Sequence, residues 1–175
     1  MVGRCTPPVM VAFIVRKFIE VKSGRRHLWV PSPDYGKFLQ HYVKGNGWYT
    51  CLATWMECPF CQVDNGLKYD RKVRFYFNAI ELDRGEAPGF TKILALSQAR
   101  ASKLLGFFDS IGQAINEHPF YLQINNGIID VEFSKEVPPK IEDLILYDWE
   151  VVNKPVSLIK AKQLIRSDSY KYPSS

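Results

Sequence analysis

Between positions 41 and 61 the chain reads HYVKGNGWYTCLATWMECPFC, which sets one histidine and three of the four cysteines at the spacing H-x9-C-x6-C-x2-C. No other stretch restricts the fold so tightly. A C-x2-C loop lets two thiolates reach one ion. A third thiolate and an imidazole complete the nitrogen–sulfur set of a closed, tetrahedral structural zinc site. Gly45, Asn46 and Gly47 supply the reversal that turns Cys51 back towards His41. Zn²⁺ is therefore the expected cofactor, held by His41, Cys51, Cys58 and Cys61, with Cys5 or His27 open as a substitute for His41. A redox Cys58–Cys61 pair is disfavoured by the turn residues at 62–66, where such a motif opens a helix. A catalytic zinc is disfavoured because four protein donors leave no open coordination position. A chain without metal is the remaining alternative.

The 175 residues suit one domain, and 46% apolar residues suffice for a core. We expect a single domain over 1–166, a zinc subdomain at about 32–70 and a flexible tail over 167–175. No apolar run reaches the roughly 20 residues of a membrane span, and the start lacks the order of a secretion signal. An intracellular location is expected, where cysteines favour metal over disulfides. The formal charge of +5 is uneven. Lys22, Arg25, Arg26, Lys37, Lys44, Lys68, Arg71, Lys72 and Arg74 crowd the N-terminal half, while acidic residues gather over 132–150. A basic half interleaved with aromatics points towards nucleic acid.

Along the chain, strands are expected at 9–21, from 28 onward, and at 73–82, where VRFYFNAIEL is the clearest. A turn over 83–90 leads to a hairpin partner at 91–96. Ser97 reads as an N-cap, and Leu104, Leu105, Phe108, Ile111 and Ile115 recur at helical spacing, so an amphipathic helix is expected over 98–116. Two further strands are expected at 127–133 and 145–152, then a short helix at 157–165. The fold class is mainly β (α+β), an OB-fold-like Greek-key barrel with a zinc-bound subdomain and one amphipathic helix.

In the strand at 73–82, Val73, Phe75, Phe77 and Ala79 alternate towards a core, leaving Arg74, Tyr76 and Asn78 on the other face. A cation, a ring and an amide on one exposed face suit a nucleic-acid single strand: the ring stacks on a base and the cation neutralises phosphate. Trp48, Tyr49 and Trp55 are further stacking candidates. Arg25, Arg26, Lys37, Lys44, Arg71 and Lys72 are candidates for the phosphate backbone. Core packing is the alternative role of each ring.

The histidine, the glycine turn, the cysteine, the Cys-Pro-x-Cys and the strand FYFNAIELD together resemble phage single-stranded DNA-binding proteins, above all the zinc-containing helix-destabilising proteins of T-even phages. The resemblance spans roughly residues 25–105. It implies an OB-fold core, a zinc subdomain and a basic, aromatic-lined cleft for single-stranded DNA in viral replication and recombination. On these motifs His41, Cys51, Cys58 and Cys61 carry over as zinc ligands, and Arg74 and Tyr76 as DNA contacts.

The expected function is thus sequence-tolerant binding of single-stranded DNA without chemistry of its own, with replication or recombination proteins as further partners and no membrane. The acidic residues form no motif of a nuclease metal site. A zinc-ribbon adaptor that binds another protein, and a single-stranded RNA binder, stay open, since stacking and phosphate contacts ignore the 2′-hydroxyl.

Overall fold

In the computed structural model the described residues are 18–19, 24–54, 56–63, 68–83, 91–142, 144–152 and 156–171. The expected strand at 9–21 falls outside them except for Phe18 and Ile19, as do Lys22, Trp55, Cys5 and most of the turn at 83–90. Seven strands are present among the described residues: β1 (Gly24–Trp29), β2 (Tyr35–Val43), β3 (Gly47–Thr50), β4 (Arg71–Glu81), β5 (Lys92–Ser97), β6 (Phe120–Asn125) and β7 (Ile128–Phe133). Four helices accompany them: α1 (Pro59–Gln62), α2 (Gln98–Ser110), α3 (Trp149–Val152) and α4 (Leu158–Lys171).

The fold is mainly β, with every pair of these strands antiparallel. β4, whose FYFNAI run is buried on both faces, is shared among three neighbours. It takes β2 along Arg71–Phe77, β5 along Arg74–Ala79, and β1 at Ile80 and Glu81. The order is β3-β2-β4-β1-β6-β7, with β5 on β4, and among the described residues no pairing closes this path into a barrel. The expected β4–β5 hairpin is present.

One face of the sheet packs the main core. Leu28, Phe77, Leu94 and Leu122 meet Ala101, Leu104 and Phe108 of α2. Phe108 and Phe120 stand edge to face with centroids 5.4 Å apart. Each such ring or Leu, fully buried, contributes about 1.5–3 kcal/mol. The helix stops at Ser110, short of the expected 116, because Gly112 turns into the left-handed region at φ 65°. Ser97 occupies the N-cap position, but its side chain makes no capping hydrogen bond.

Three stretches differ from the sequence expectation. Within residues 32–70, which show little periodicity in sequence, β2 and β3 lie in the main sheet, joined by a turn with Gly45 at φ 75° and Gly47 at φ 98°. β2 hides its period because it is covered on both faces, so that Gln40 and His41 are both buried. Second, β6 was not expected at all, although Phe120, Leu122 and Ile124 alternate inward and Asn126-Gly127 form a two-residue turn with both φ positive, 50° and 82°. Third, 145–152 is not a strand. It runs as a strap across the second face of the sheet and ends in α3.

Asn78 explains the strap. Its Oδ1 accepts from the Tyr147 N–H at 2.8 Å, and its Nδ2 donates to the Tyr147 carbonyl at 3.3 Å. A side-chain amide thus does what a neighbouring strand would do. Thr91 adds a 2.6 Å hydrogen bond from its hydroxyl to the Ile145 carbonyl. Beneath the strap Phe38, Tyr76, Ile93 and Val152 form a second core, flanked by Trp149. α4 runs as far as Lys171, into the stretch expected as a tail, whose last four residues lie outside the described ones.

Replacing Asn78 with Ala should strand both polar groups of Tyr147 and cost about 1–3 kcal/mol. Equilibrium unfolding in denaturant reads this directly, and an unchanged stability would show that the strap is held by its apolar contacts alone.

Candidate metal centre and the opposite sheet face

His41 comes from β2, Cys51 directly follows β3, Cys58 caps α1 and Cys61 lies within it. Each position has a local cause. Cys58 precedes proline and is extended, with φ −91° and ψ 117°. Pro59 then starts the helical turn, and the Cys61 N–H donates to the Cys58 carbonyl at 3.0 Å. The turn between β2 and β3 brings Cys51 alongside, and its N–H donates to the Leu39 carbonyl at 2.8 Å.

The four donor atoms all lie within 4.8 Å of one another. Cys51 Sγ and Cys61 Sγ are 3.6 Å apart, and His41 Nε2 is 3.6 Å from Cys58 Sγ and 3.5 Å from Cys61 Sγ. A tetrahedral zinc with sulfur at about 2.3 Å and nitrogen at about 2.0–2.1 Å separates its ligands by about 3.5–3.8 Å. These three separations match that figure, and the cluster can hold a metal ion. The imidazole is set for it: Nδ1 hydrogen-bonds the Tyr69 carbonyl. A carbonyl only accepts, so Nδ1 carries the proton and Nε2 is left as the ligand.

Electrostatics agree. Burial, opposed by the Tyr69 carbonyl and reinforced by Arg71, holds His41 below its ordinary pKa and keeps the ring neutral. Burial raises the Cys58 thiol, but hydrogen bonds from the backbone of Leu52, Cys61 and Phe60 outweigh it and leave the thiol lowered. Burial and the neighbouring Cys51 and Cys58 push Cys61 up to about 12. Three thiolates this close repel one another, and a divalent cation is what reverses that balance. Around them Val43, Leu52, Phe60, Tyr69, Ala161 and Leu164 close an apolar shell, so α4 packs onto the cluster.

His27 is not part of this centre. It is 4% exposed, stacks on Tyr121 with centroids 4.3 Å apart, and its Nε2 lies 3.1 Å from Ser134 Oγ. Its Nδ1 is 3.6 Å from Asp83.

The expected nucleic-acid residues fall in several places. Register puts Phe38, Gln40 and Tyr42 of β2, Trp48 and Thr50 of β3, and Lys72, Arg74, Tyr76 and Asn78 of β4 on one face. Tyr76 and Asn78 were expected to be open on it. They are instead 5% and 2% exposed under the strap, and the Tyr76 hydroxyl donates to Gln40 at 2.8 Å. The unstrapped part of the face carries Tyr42, 48% exposed, with its ring 5.1 Å from Trp48. The Arg74 guanidinium lies 4.7 Å from the Trp48 ring centre, and Lys72 is exposed beside Asp70 at 3.4 Å.

The other candidates lie elsewhere. Tyr49 is half-buried against Phe60, 6.1 Å between centroids, in the shell of the metal centre. Arg71 and Lys37 point to the opposite face, where Lys37 sits 5.8 Å from the Phe75 ring. Lys44 is exposed at the hairpin turn and Arg26 is half-buried. Arg25 bonds Glu132 at 2.7 Å and stacks on Tyr121 at 3.8 Å. Tyr42 went unread because the buried Gln40 and His41 beside it break the alternation that marks a strand face.

No protein-family model matches the chain, and no curated protein matches its sequence. Among the described residues no helix is long and apolar enough to cross a membrane.

Replacing Cys58 or Cys61 with Ser should abolish stoichiometric metal by elemental analysis and lower the melting temperature. Metal loss should remove a contribution on the order of 10 kcal/mol from the shell and α4. Adding metal to the stripped protein at pH 7 should also release protons, Cys61 being the first source, which calorimetry in two buffers of different ionisation enthalpy reads. The neutral His41 contributes stability above pH 6.5, lost as pH falls towards its lowered pKa. Metal retention should therefore decline on acidification through that range.

Proposed function

We propose that this chain is a sequence-tolerant single-stranded DNA-binding protein with a structural zinc and no chemistry of its own. The observation that carries the reading is the open aromatic and cationic face formed by Tyr42, Trp48, Lys72 and Arg74 on three adjacent strands. Tyr42 and Trp48 present π-faces that any base can stack on, each stack being worth about 1–3 kcal/mol. Lys72, Arg74 and the exposed Lys44 at the hairpin turn supply charge for phosphates. The strap covers Tyr76, so Tyr42 takes the role that the sequence pattern assigned to it.

The zinc reading rests on three thiol sulfurs and one imidazole nitrogen within 4.8 Å of one another, three of their pairs at 3.5–3.6 Å. Held by Cys51, Cys58, Cys61 and His41, the ion would fix the β2–β3 hairpin, and with it Tyr42 and Trp48 at the hairpin end. An OB-like reading of the sheet rests on β4, which serves three neighbours as the bent strand of a small Greek-key barrel does. Work on viral DNA during replication or recombination follows from the resemblance of the His/Cys motif and the FYFNAIELD strand.

Fluorescence titration with labelled oligo-dT, duplex DNA and oligo-U across a salt series tests the proposal. Tight binding to oligo-dT that prefers single strands and weakens steeply with salt is expected. Tyr42→Ala and Trp48→Ala should each weaken it about 5- to 150-fold, the equivalent of one stack, at unchanged zinc content. Preference for oligo-U would make the partner RNA. No binding at low salt would sink the reading and leave the protein-interaction adaptor.

A further inference from the structure

Two guanidinium groups lie at the junction of β5 and α2. Arg74 of β4 lies directly across from Ser97, the last residue of β5, and Arg100 follows Ser97 by three residues at the start of α2. Among the described residues neither arginine has a carboxylate partner. Arg74 reaches only the Ala95 carbonyl, at 3.4 Å, and its buried Nε has no acceptor. Arg100 Nε donates to the Gly127 carbonyl at 3.2 Å.

Ser97 spends no side-chain hydrogen bond on capping its helix, and the first turn of α2 contains no acidic residue. Burial holds the Arg74 guanidinium below its ordinary range, Tyr76 opposes this, and the nearby Arg100 adds to it. Two like charges, one of them partly desolvated, form a combination that an anion with several acceptor oxygens would relieve. Arg25, by contrast, has its Glu132 at 2.7 Å. The Trp48 ring lies 4.7 Å from the same Arg74 guanidinium, so this cationic corner adjoins the stacking platform.

We propose that Arg74, Arg100 and the Ser97 hydroxyl form a seat for one phosphate group of the bound strand, on the β5 side of Trp48. This rests on the single-strand reading and extends it. The strand would cross the sheet from the Tyr42–Trp48 pair over Arg74 to the start of α2, with the strap as its boundary on the Tyr76 side. A phosphate there accepts from both guanidinium forks and from Ser97, and Arg74 keeps its ring contact.

The test compares wild type with Arg100→Gln and Ser97→Ala in oligo-dT titrations from low to moderate salt, with metal content and circular dichroism as fold controls. Losing one phosphate contact should weaken binding in Arg100→Gln and flatten its log–log salt slope by about 0.7. Ser97→Ala should weaken binding at unchanged slope. Wild-type slope and affinity in Arg100→Gln would overturn the seat while the single-strand reading survives. If Arg100→Gln misfolds, Arg100→Lys replaces it; a loss of affinity at retained slope supports a seat that needs the fork, and full affinity overturns it. If wild type binds no oligonucleotide, the seat is read with inorganic phosphate alone by phosphorus NMR line broadening. Broadening by wild type that Arg100→Gln abolishes supports it, and no difference between the two overturns it.

Discussion

A neutral imidazole has one hydrogen to give, and in His41 it is committed to the Tyr69 carbonyl. That commitment joins β2 to the segment entering β4, two stretches separated by the whole cysteine-bearing excursion. It also aims Nε2 at the point where three sulfurs converge. Remove it and the ring is free to turn, the donor set loses its nitrogen, and the excursion loses its anchor on the sheet. The apolar shell depends on the same point, because Phe60, Tyr69 and two residues of α4 pack against the cluster. A short tetrahedral set thus organises the edge of a sheet that would otherwise end in the four-residue strand β3.

The sheet's two faces divide the work by how β4 is covered. On one side α2 seals an ordinary apolar core. On the other, the strap seals only half the face, over Tyr76 and Asn78, and leaves the half beside β3 open. Gly36 sets how closely the strap can lie. A methyl group there would stand 2.5 Å from the Phe38 ring and 3.1 Å from Trp149. The boundary between sealed and open halves is therefore built by a missing side chain as much as by the residues present.

How much of this was legible follows the same division. The His/Cys cluster was readable because thiols and imidazoles at such spacing have few other uses, and the geometry brings the four residues within reach of one ion. β4, β5 and the start of α2 were readable because one side of each is an uninterrupted apolar pattern. β2 was not, since a buried histidine of the cluster that could hold a metal and a buried glutamine that bonds Tyr76 break its period. β6 carried a signal in Asn126-Gly127, whose paired positive φ values suit a tight hairpin, but its three inward residues are a short pattern that begins directly behind Pro119. Tyr76 shows the limit of alternation: period two tells which residues share a face, never whether a distant segment lies over it. The strap's own ILYDWEVV reads as a strand, and the Asn78 amide and Thr91 hydroxyl, from far along the chain, help convert it into a cover.

β1 pairs with β4 and with β6, Gly24 lying opposite Ile124 and Arg25 opposite Gln123. Of the described strands β1 comes first, and its neighbours are complete only at residue 81 for β4 and residue 125 for β6. The His/Cys excursion is the reverse, since its donors are complete within one short stretch. Loop-closure entropy therefore orders assembly: the local, metal-competent hairpin can form early, and the long-range pairing of β1 with β6 comes after it. Through that interval its edge is unprotected, and Arg25 and Arg26 stand where charge discourages another chain from pairing with it.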